Sequence, residues 1–501
     1  MARCGLAALA AALIVTSTGA LAVETTIGGH PLSLTGDVEI RKGFKVDPET
    51  ASDQTFEELW LRLRTPLTER LKFDTTFAVR NGGPTTESNR VGFYAFDDVF
   101  QSVSPALEFE EAMLIVKLQN ADLRIGKQKI AWGKLDRTQP TDLLNTRRYT
   151  DPFLRDEDQN KIGVPAVVGT YYLPEAKWAP EQSQVTLAWI PWYQPYRFPR
   201  PDERWFPPAA VPPSPFHVPA GTIDINGQPN PAIDVPVGFQ ARNVDPPAFG
   251  LDNSGYAARF SAFSNGVDYS LMYYHGFDVQ PAFSLSATVF PDPMTVFRAE
   301  TELTPAFRKI DAWGGDAAYT WGPFTFRGEA TYVDGRPFSR DLRFIIRDPA
   351  EVAPQIQQVV DEILVQGAPS AAFALPPSFV VRDAFEWGVG ADVTLDGYFL
   401  LLQLNQTDVF GNDVELLIRN VESRILATVR KSFWHDDLQL QAQGIYGASS
   451  DYTLLLPRAT YRVWKGIEAQ IGYLFIAGRS SSVVGQYKRN DEGFVRLRYL
   501  F

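Results

Sequence analysis

Cysteine is almost missing from this chain: Cys4 is the only one in 501 residues. It stands in an apolar N-terminal stretch, so the remainder has no thiol chemistry, no cysteine-based metal site and no disulfide staple. Histidine is scarce too. His30, His217, His275 and His435 fall in no triad spacing, which argues against an enzyme built on a histidine base, and no catalytic residue is assigned. The acidic runs Asp151–Asp158 and Asp408–Glu415 offer oxygen ligands of the kind calcium takes, but neither has EF-hand spacing. No metal or cofactor is expected, and there is neither a phosphate-binding glycine motif nor a nucleic-acid patch. Long apolar runs are also lacking: beyond Ala22 none reaches the roughly 18 residues of a transmembrane helix. A long chain without such supports must gain stability from a large core or extensive strand pairing.

What is present points to strands and turns. Glycine and proline number 37 each and aromatic residues make up 13%, while a mean hydropathy of −0.15 is far from that of a helical membrane protein. In MARCGLAALAAALIVTSTGALA, Arg3 gives a positive start, Leu6 to Val15 an apolar stretch and Ala20-Leu21-Ala22 a cleavage pattern. These predict a signal peptide over 1–22, leaving a single domain over 23–501.

Within that domain alternation recurs. Leu59, Leu61 and Leu63 oppose Trp60, Arg62 and Arg64; Phe324, Phe326 and Gly328 oppose Thr325, Arg327 and Glu329; Leu438 and Leu440 oppose Gln439 and Gln441. Period two with one oily and one wet side is the mark of a strand. Short connections such as Asn265-Gly266, Gly322-Pro323 and Asp396-Gly397 alternate with long ones near 83–104, 133–163, 194–253, 278–307, 335–382, 409–417 and 478–491. That pattern separates a transmembrane barrel from a sandwich. The expected fold is all-β, an antiparallel transmembrane barrel of about 18 strands (16–18) with long external loops. Phe297 to Pro305 fits either a strand or part of a loop. Trp321, Tyr332, Trp387, Tyr398, Trp434, Tyr446, Trp464 and Tyr473 fall near strand ends, where barrels carry aromatic girdles.

The chain ends FVRLRYLF, alternating to its last residue although termini are usually polar and frayed. Val495, Leu497, Tyr499 and Phe501 are expected to face lipid on a closing strand, with Arg496 and Arg498 inward. A final Phe with Tyr two residues before it resembles the C-terminal signature of Gram-negative outer-membrane proteins, which implies that Tyr499 and Phe501 are read by the barrel-assembly machinery.

The inward residues are rich in arginine: Arg62, Arg64, Arg80, Arg124, Arg259, Arg327, Arg424, Arg430, Arg458, Arg462, Arg496 and Arg498, interleaved with Asp74, Glu329, Glu386, Asp392, Glu422 and Glu468. Barrels of about 16 to 18 strands leave an aqueous passage. A cationic lining favours anions; alternatively, the arginines pair with the acids and stiffen the wall. The Pro-rich loop over 194–253, with Trp205, Phe206, Phe216 and Phe239, is expected to fold into or over the pore. In the 335–382 loop, Asp348, Pro349 and Glu351 read as a capped start and Val352, Ile356, Val359, Val360, Ile363 and Leu364 as the stripe of an amphipathic helix, with Gly367 as its stop. It would plug the lumen, cap the mouth or pack on a neighbouring loop.

Gly126, Lys127, Gln128, Trp132, Gly133, Asp136, Asp142, Leu144 and Asn145 form a strand end and loop that resemble an uncharacterised family of proteobacterial barrels related to alginate-export-type porins. The proline that often follows that Asn is replaced by Thr146. The resemblance implies a channel without fixing its cargo. Asp136, Arg137, Asp142, Asn145, Arg147 and Arg148 would form a dense polar cluster, either a constriction or a salt-bridged loop with no solute contact.

The expected function is passage of small solutes, with an anionic preference among the options, through the outer membrane of a Gram-negative bacterium. The alternative is a structural barrel that docks a periplasmic efflux or electron-transfer partner. Lipid and lipopolysaccharide are the expected surroundings.

Overall fold

The computed structural model describes residues 23–47, 55–82, 91–92, 107–175, 180–225, 227–341, 352–411 and 416–501. The segment 1–22 lies outside them, as does the capped helix start over 348–351. Eighteen strands close into one antiparallel barrel. In chain order they are β1 (His30–Lys45), β2 (Thr55–Pro66), β3 (Leu71–Gly82), β4 (Leu107–Lys117), β5 (Ala121–Gln128) and β6 (Val164–Tyr172). Next come β7 (Glu181–Ile190), β8 (Gly255–Ser264), β9 (Val267–Phe277), β10 (Lys309–Trp321), β11 (Phe324–Ser339) and β12 (Phe379–Leu395). The last six are β13 (Tyr398–Val409), β14 (Val421–Phe433), β15 (Leu438–Gly447), β16 (Tyr452–Trp464), β17 (Ile467–Gly478) and β18 (Glu492–Leu500).

Closure is made by the two extremities of the sheet. β18 pairs with β1 from Asp37↔Leu500 to Lys45↔Glu492, and Gly36 and Phe501 exchange reciprocal backbone hydrogen bonds of 2.9 Å each. Every spanning strand therefore has two neighbours, which a hydrocarbon environment demands of backbone N–H and C=O groups. The alternation decides the faces. Leu271 and Ile471 on the outside are 63% and 62% exposed, whereas the inward Ser270 and Gln403 are 2% and 1% exposed. Tight turns at one end follow from local chemistry: Asn265 and Gly266 have φ of 52° and 82°, Asp396 and Gly397 of 50° and 77°. Both central residues are left-handed, the arrangement that matches strand twist and favours Asn-Gly and Asp-Gly.

At the other end the long loops assemble with one another. Val237–Ala241 lies parallel to Val296–Ala306, which pairs with Ala282–Asp292, which pairs with Ala371–Phe373. Phe297 to Pro305 is thus a strand, but of this separate sheet and not of the barrel. The helix α1 (Ala353–Val360) continues through one wide turn over Asp361–Val365, and Gly367, at φ 74°, follows it. Its stripe of Ile356, Val359, Val360 and Ile363 packs on Val218, Ile233, Phe297 and Ala371, so the helix joins neighbouring loops and leaves the lumen to others. Each such aliphatic side chain stabilises by about 1.5–3 kcal/mol when fully buried.

Candidate functional site

The segment after β5 turns into the barrel. It is pinned where it departs: Asn145 accepts from the Ile130 N–H at 2.8 Å and donates to the Ile130 carbonyl at 2.7 Å. From there it crosses the lumen to the opposite wall. Glu329 of β11 accepts hydrogen bonds from the Leu135 N–H (2.5 Å), the Thr141 N–H (3.2 Å) and the Thr141 hydroxyl (2.8 Å), and also from the Lys134 N–H. Gln403 of β13 accepts from the Asp136 N–H at 2.9 Å and donates to the Asp136 and Thr138 carbonyls at 2.9 and 3.2 Å. Asn405 adds a 3.2 Å bond to the Thr138 carbonyl. Leu135 fits against Gly388 of β12, where a Cβ would lie 2.7 Å from a Leu135 methyl. Between the two gripped residues Arg137 has a left-handed backbone, φ 53°.

The segment then returns to the wall it left. Arg148 donates to Glu108 at 2.6 Å and to Glu110 at 3.2 Å. Arg80 bridges Glu58 (2.5 Å), Glu108 (2.8 Å) and Glu110 (2.5 Å). Arg197, from the Pro-rich loop, also meets Glu108. The three arginine and three glutamate side chains of this block are no more than 2% exposed. Unpaired, such buried charges would each cost several kcal/mol; as a mutually bonded set they hold two loops to one wall.

Further along, Asp151 meets Arg41. Asp156 reaches Arg498 at 3.0 Å and lies 3.9 Å from Arg496 and 3.8 Å from Arg458. Burial opposes ionisation of Asp156, but Arg496 and Arg498 outweigh it and hold the carboxyl below its usual range. Leu154 and Trp205 complete an apolar cluster with Leu454, Leu456, Leu474 and Phe494 on the inner wall.

The remaining expected lumen residues are mostly paired. Arg62 and Arg64 share Asp74 at 2.8 and 3.3 Å. Arg259 bonds Asp316 at 2.9 Å, Glu386 bonds Arg336 at 2.7 Å, and Arg327 contacts Asp392 with Asp136 at 3.7 Å. Arg147 reaches Asp142 at 3.0 Å and also Glu157, Arg462 lies 3.7 Å from Asp437, and Arg496 lies 3.2 Å from Glu39. Among the described residues Arg124, Arg137 and Arg424 make no ion pair. Tyr499 and Phe501 stack at 5.9 Å beside the closing seam.

Gln403, Asn405, Glu58, Glu108 and Glu110 were not expected as site residues. The glutamates carried a signal, since LEFEEAM places Glu108 and Glu110 two apart on one strand face; the neutral amides carried none.

The crossing segment lies between two cavities that, among the described residues, have no lining residue in common. The one at the loop end holds about 500 Å³ and, among the described residues, is lined by six arginines (Arg137, Arg147, Arg148, Arg336, Arg340, Arg424) against three carboxylates (Glu157, Asp278, Glu386). The one at the turn end holds about 230 Å³ and is balanced, with Arg458, Arg462, Arg496 and Arg498 facing Asp156, Asp436, Asp437 and Glu468.

A closed antiparallel cylinder with an apolar outer belt and a polar, loop-braced interior defines a transmembrane β-barrel of the outer-membrane type. No protein-family model matches the chain, and no curated protein sequence does, so the likeness to alginate-export-type barrels stands on its quoted residues alone. Among solved structures the chain is similar to Acinetobacter baumannii OccAB4, at 9% identity and a TM-score of 0.45, covering 94% of this chain and 97% of that one. Pseudomonas aeruginosa OpdK with vanillate gives 9% and 0.44, covering 93% and 98%. Salmonella typhi OmpF in complex with daunomycin gives 9% and 0.39, covering 96% and 100%. Likeness at this level concerns the course of a chain around a barrel and nothing finer.

Proposed function

We propose that this protein is an outer-membrane channel for small solutes whose loop-end mouth favours anions. The observation that carries the reading is the imbalance, among the described residues, of six arginines against three carboxylates in the loop-end cavity, beside a turn-end cavity that is neutral by count. Unbalanced charge in a cavity with low-dielectric walls concentrates counter-ions at the entrance, and rings of arginine select for anions. Most other lumen arginines act as braces, held by Glu58, Glu108, Glu110, Asp74, Asp316 or Asp392. Arg137 and Arg424 are the cations left to meet a solute.

The test is a planar bilayer bearing a potassium chloride gradient. An anion-selective reversal potential is expected, moving toward zero in R137Q and R424Q. A cation-selective potential unaffected by either change would overturn the anion assignment. A second reading, a barrel that docks a periplasmic partner, is favoured by the separation of the two cavities, which share no lining residue among the described residues. Absence of steady current from the isolated protein would select it.

A further inference from the structure

The loop-end cavity has an aromatic side as well as a cationic one. Tyr149 stacks on Phe198 with centroids 5.5 Å apart and planes at 19°, and Phe198 meets Phe283 edge-on at 5.2 Å. Phe153 and Trp205, also 5.2 Å apart, line the same cavity, Trp205 being buried in the apolar cluster of the inner wall. These side chains come from three different loops, the 133–163, 194–253 and 278–307 connections, so the surface exists only when those loops are docked. Tyr149, Phe198 and Phe283 are only half-buried there, and apolar area left uncovered costs about 25 cal/mol per Å².

Two cations line the same cavity as this surface. Arg137 and Arg424 line the cavity and make no ion pair among the described residues. Burial pushes the Tyr149 hydroxyl up, Arg147 and Arg424 pull it down and Glu157 adds to the rise, so both guanidiniums and one carboxylate lie within electrostatic range of the stacked rings. Arg147 is already engaged by Asp142 and Glu157. The backbone on both sides of Arg137 is fixed by Gln403, which makes its position a property of the wall.

We propose that this cavity binds an aromatic monocarboxylate, its ring against Tyr149, Phe198 and Phe283 and its carboxylate on Arg137 and Arg424. The volume of about 500 Å³ lies within the range of about 300–1,000 Å³ typical of small-molecule sites. A strongly hydrated inorganic anion gains nothing from the aromatic side and gives up water to approach it, whereas a neutral aromatic leaves both guanidiniums without a counter-charge. This assignment deepens the channel reading and rests on it for any role in transport; the binding does not need transport to be seen.

The experiment uses the full detergent-purified barrel and three probes, sodium benzoate, sodium acetate and benzyl alcohol, with binding read by calorimetry. Benzoate is expected to bind at least about tenfold more tightly than either of the others, since each lacks one of two favourable contacts. R137Q and R424Q should each weaken benzoate about tenfold and leave benzyl alcohol unchanged. The double change F198A with F283A should weaken benzoate and spare acetate. Migration of each variant as a folded, heat-modifiable barrel checks that the wall is intact. Acetate binding as well as benzoate would reduce the site to bare charge, and benzyl alcohol binding as well would reduce it to an apolar surface; either result overturns the proposal. Conductance without benzoate preference sinks this inference and keeps the channel. Benzoate binding without conductance keeps the site and sinks the channel.

Discussion

The segment that crosses the lumen is held at two walls by different chemistry. At β2–β4, Arg80, Arg148 and Arg197 share Glu58, Glu108 and Glu110, all shut away from solvent. At β11–β13 a single carboxylate, Glu329, and two amides, Gln403 and Asn405, bond the loop's own backbone. The first anchor is collective, because removing one member leaves the others buried with unbalanced charge. The second is a sum of local bonds, each with a modest and separate effect.

The largest effect expected from that contrast belongs to R80A. It takes one cation from each of three buried carboxylates, which then rely on Arg148, Arg155 and Arg197 alone, and should destabilise the barrel by about 3–5 kcal/mol, read as a lowered temperature for losing the folded band on gels. A change below about 1 kcal/mol would show that the ion-pair block is not a unit. E329Q comes next. It keeps the shape but replaces charge-assisted acceptance, weakening the grip by roughly 1.5–3 kcal/mol. Single-channel current should become larger and noisier while barrel melting stays nearly constant.

Acid should act more weakly and from the other side of the loop. The Asp156 carboxyl is held low by Arg496 and Arg498 despite its burial, so its stabilising contribution is fully present above its unfolded value of about 3.9. It fades as pH falls through the lower folded value. Conductance should therefore be level between about pH 7 and pH 5 and rise below about pH 4, a step missing from D156N. Smallest of all is R64A: that side chain is 56% exposed beside Asp74, and such pairs contribute about 0–1 kcal/mol. A large loss of stability there would break the distinction between braces and surface pairs.

The barrel was legible in the sequence because the pleat imposes period two on every strand. Leu59, Leu61 and Leu63 oppose Arg62 and Arg64, and the short turns carry the Asn-Gly and Asp-Gly pairs that left-handed φ requires. The same alternation could not say that Phe297 to Pro305 belongs to a second sheet, since strand character does not name a partner. The helix was legible from spacing, but its packing on Val218 and Ile233 depends on a loop more than a hundred residues earlier. So it was with the lumen: an inward arginine can be read from its strand, whereas its acid cannot. Arg498 meets Glu39 across a separation of 459 residues, and Asp156 joins them from a loop. Gln403 and Asn405 carried no charge to mark them.

A wide cylinder of strands is stiff along its axis and soft to flattening, because only hydrogen bonds between neighbouring ribbons resist an oval distortion. A chord tied to β4 at one end and to β11 and β13 at the other spans that soft direction. Lateral squeezing by the surrounding bilayer then meets a strut, and the rim beneath the outer sheet keeps its roundness.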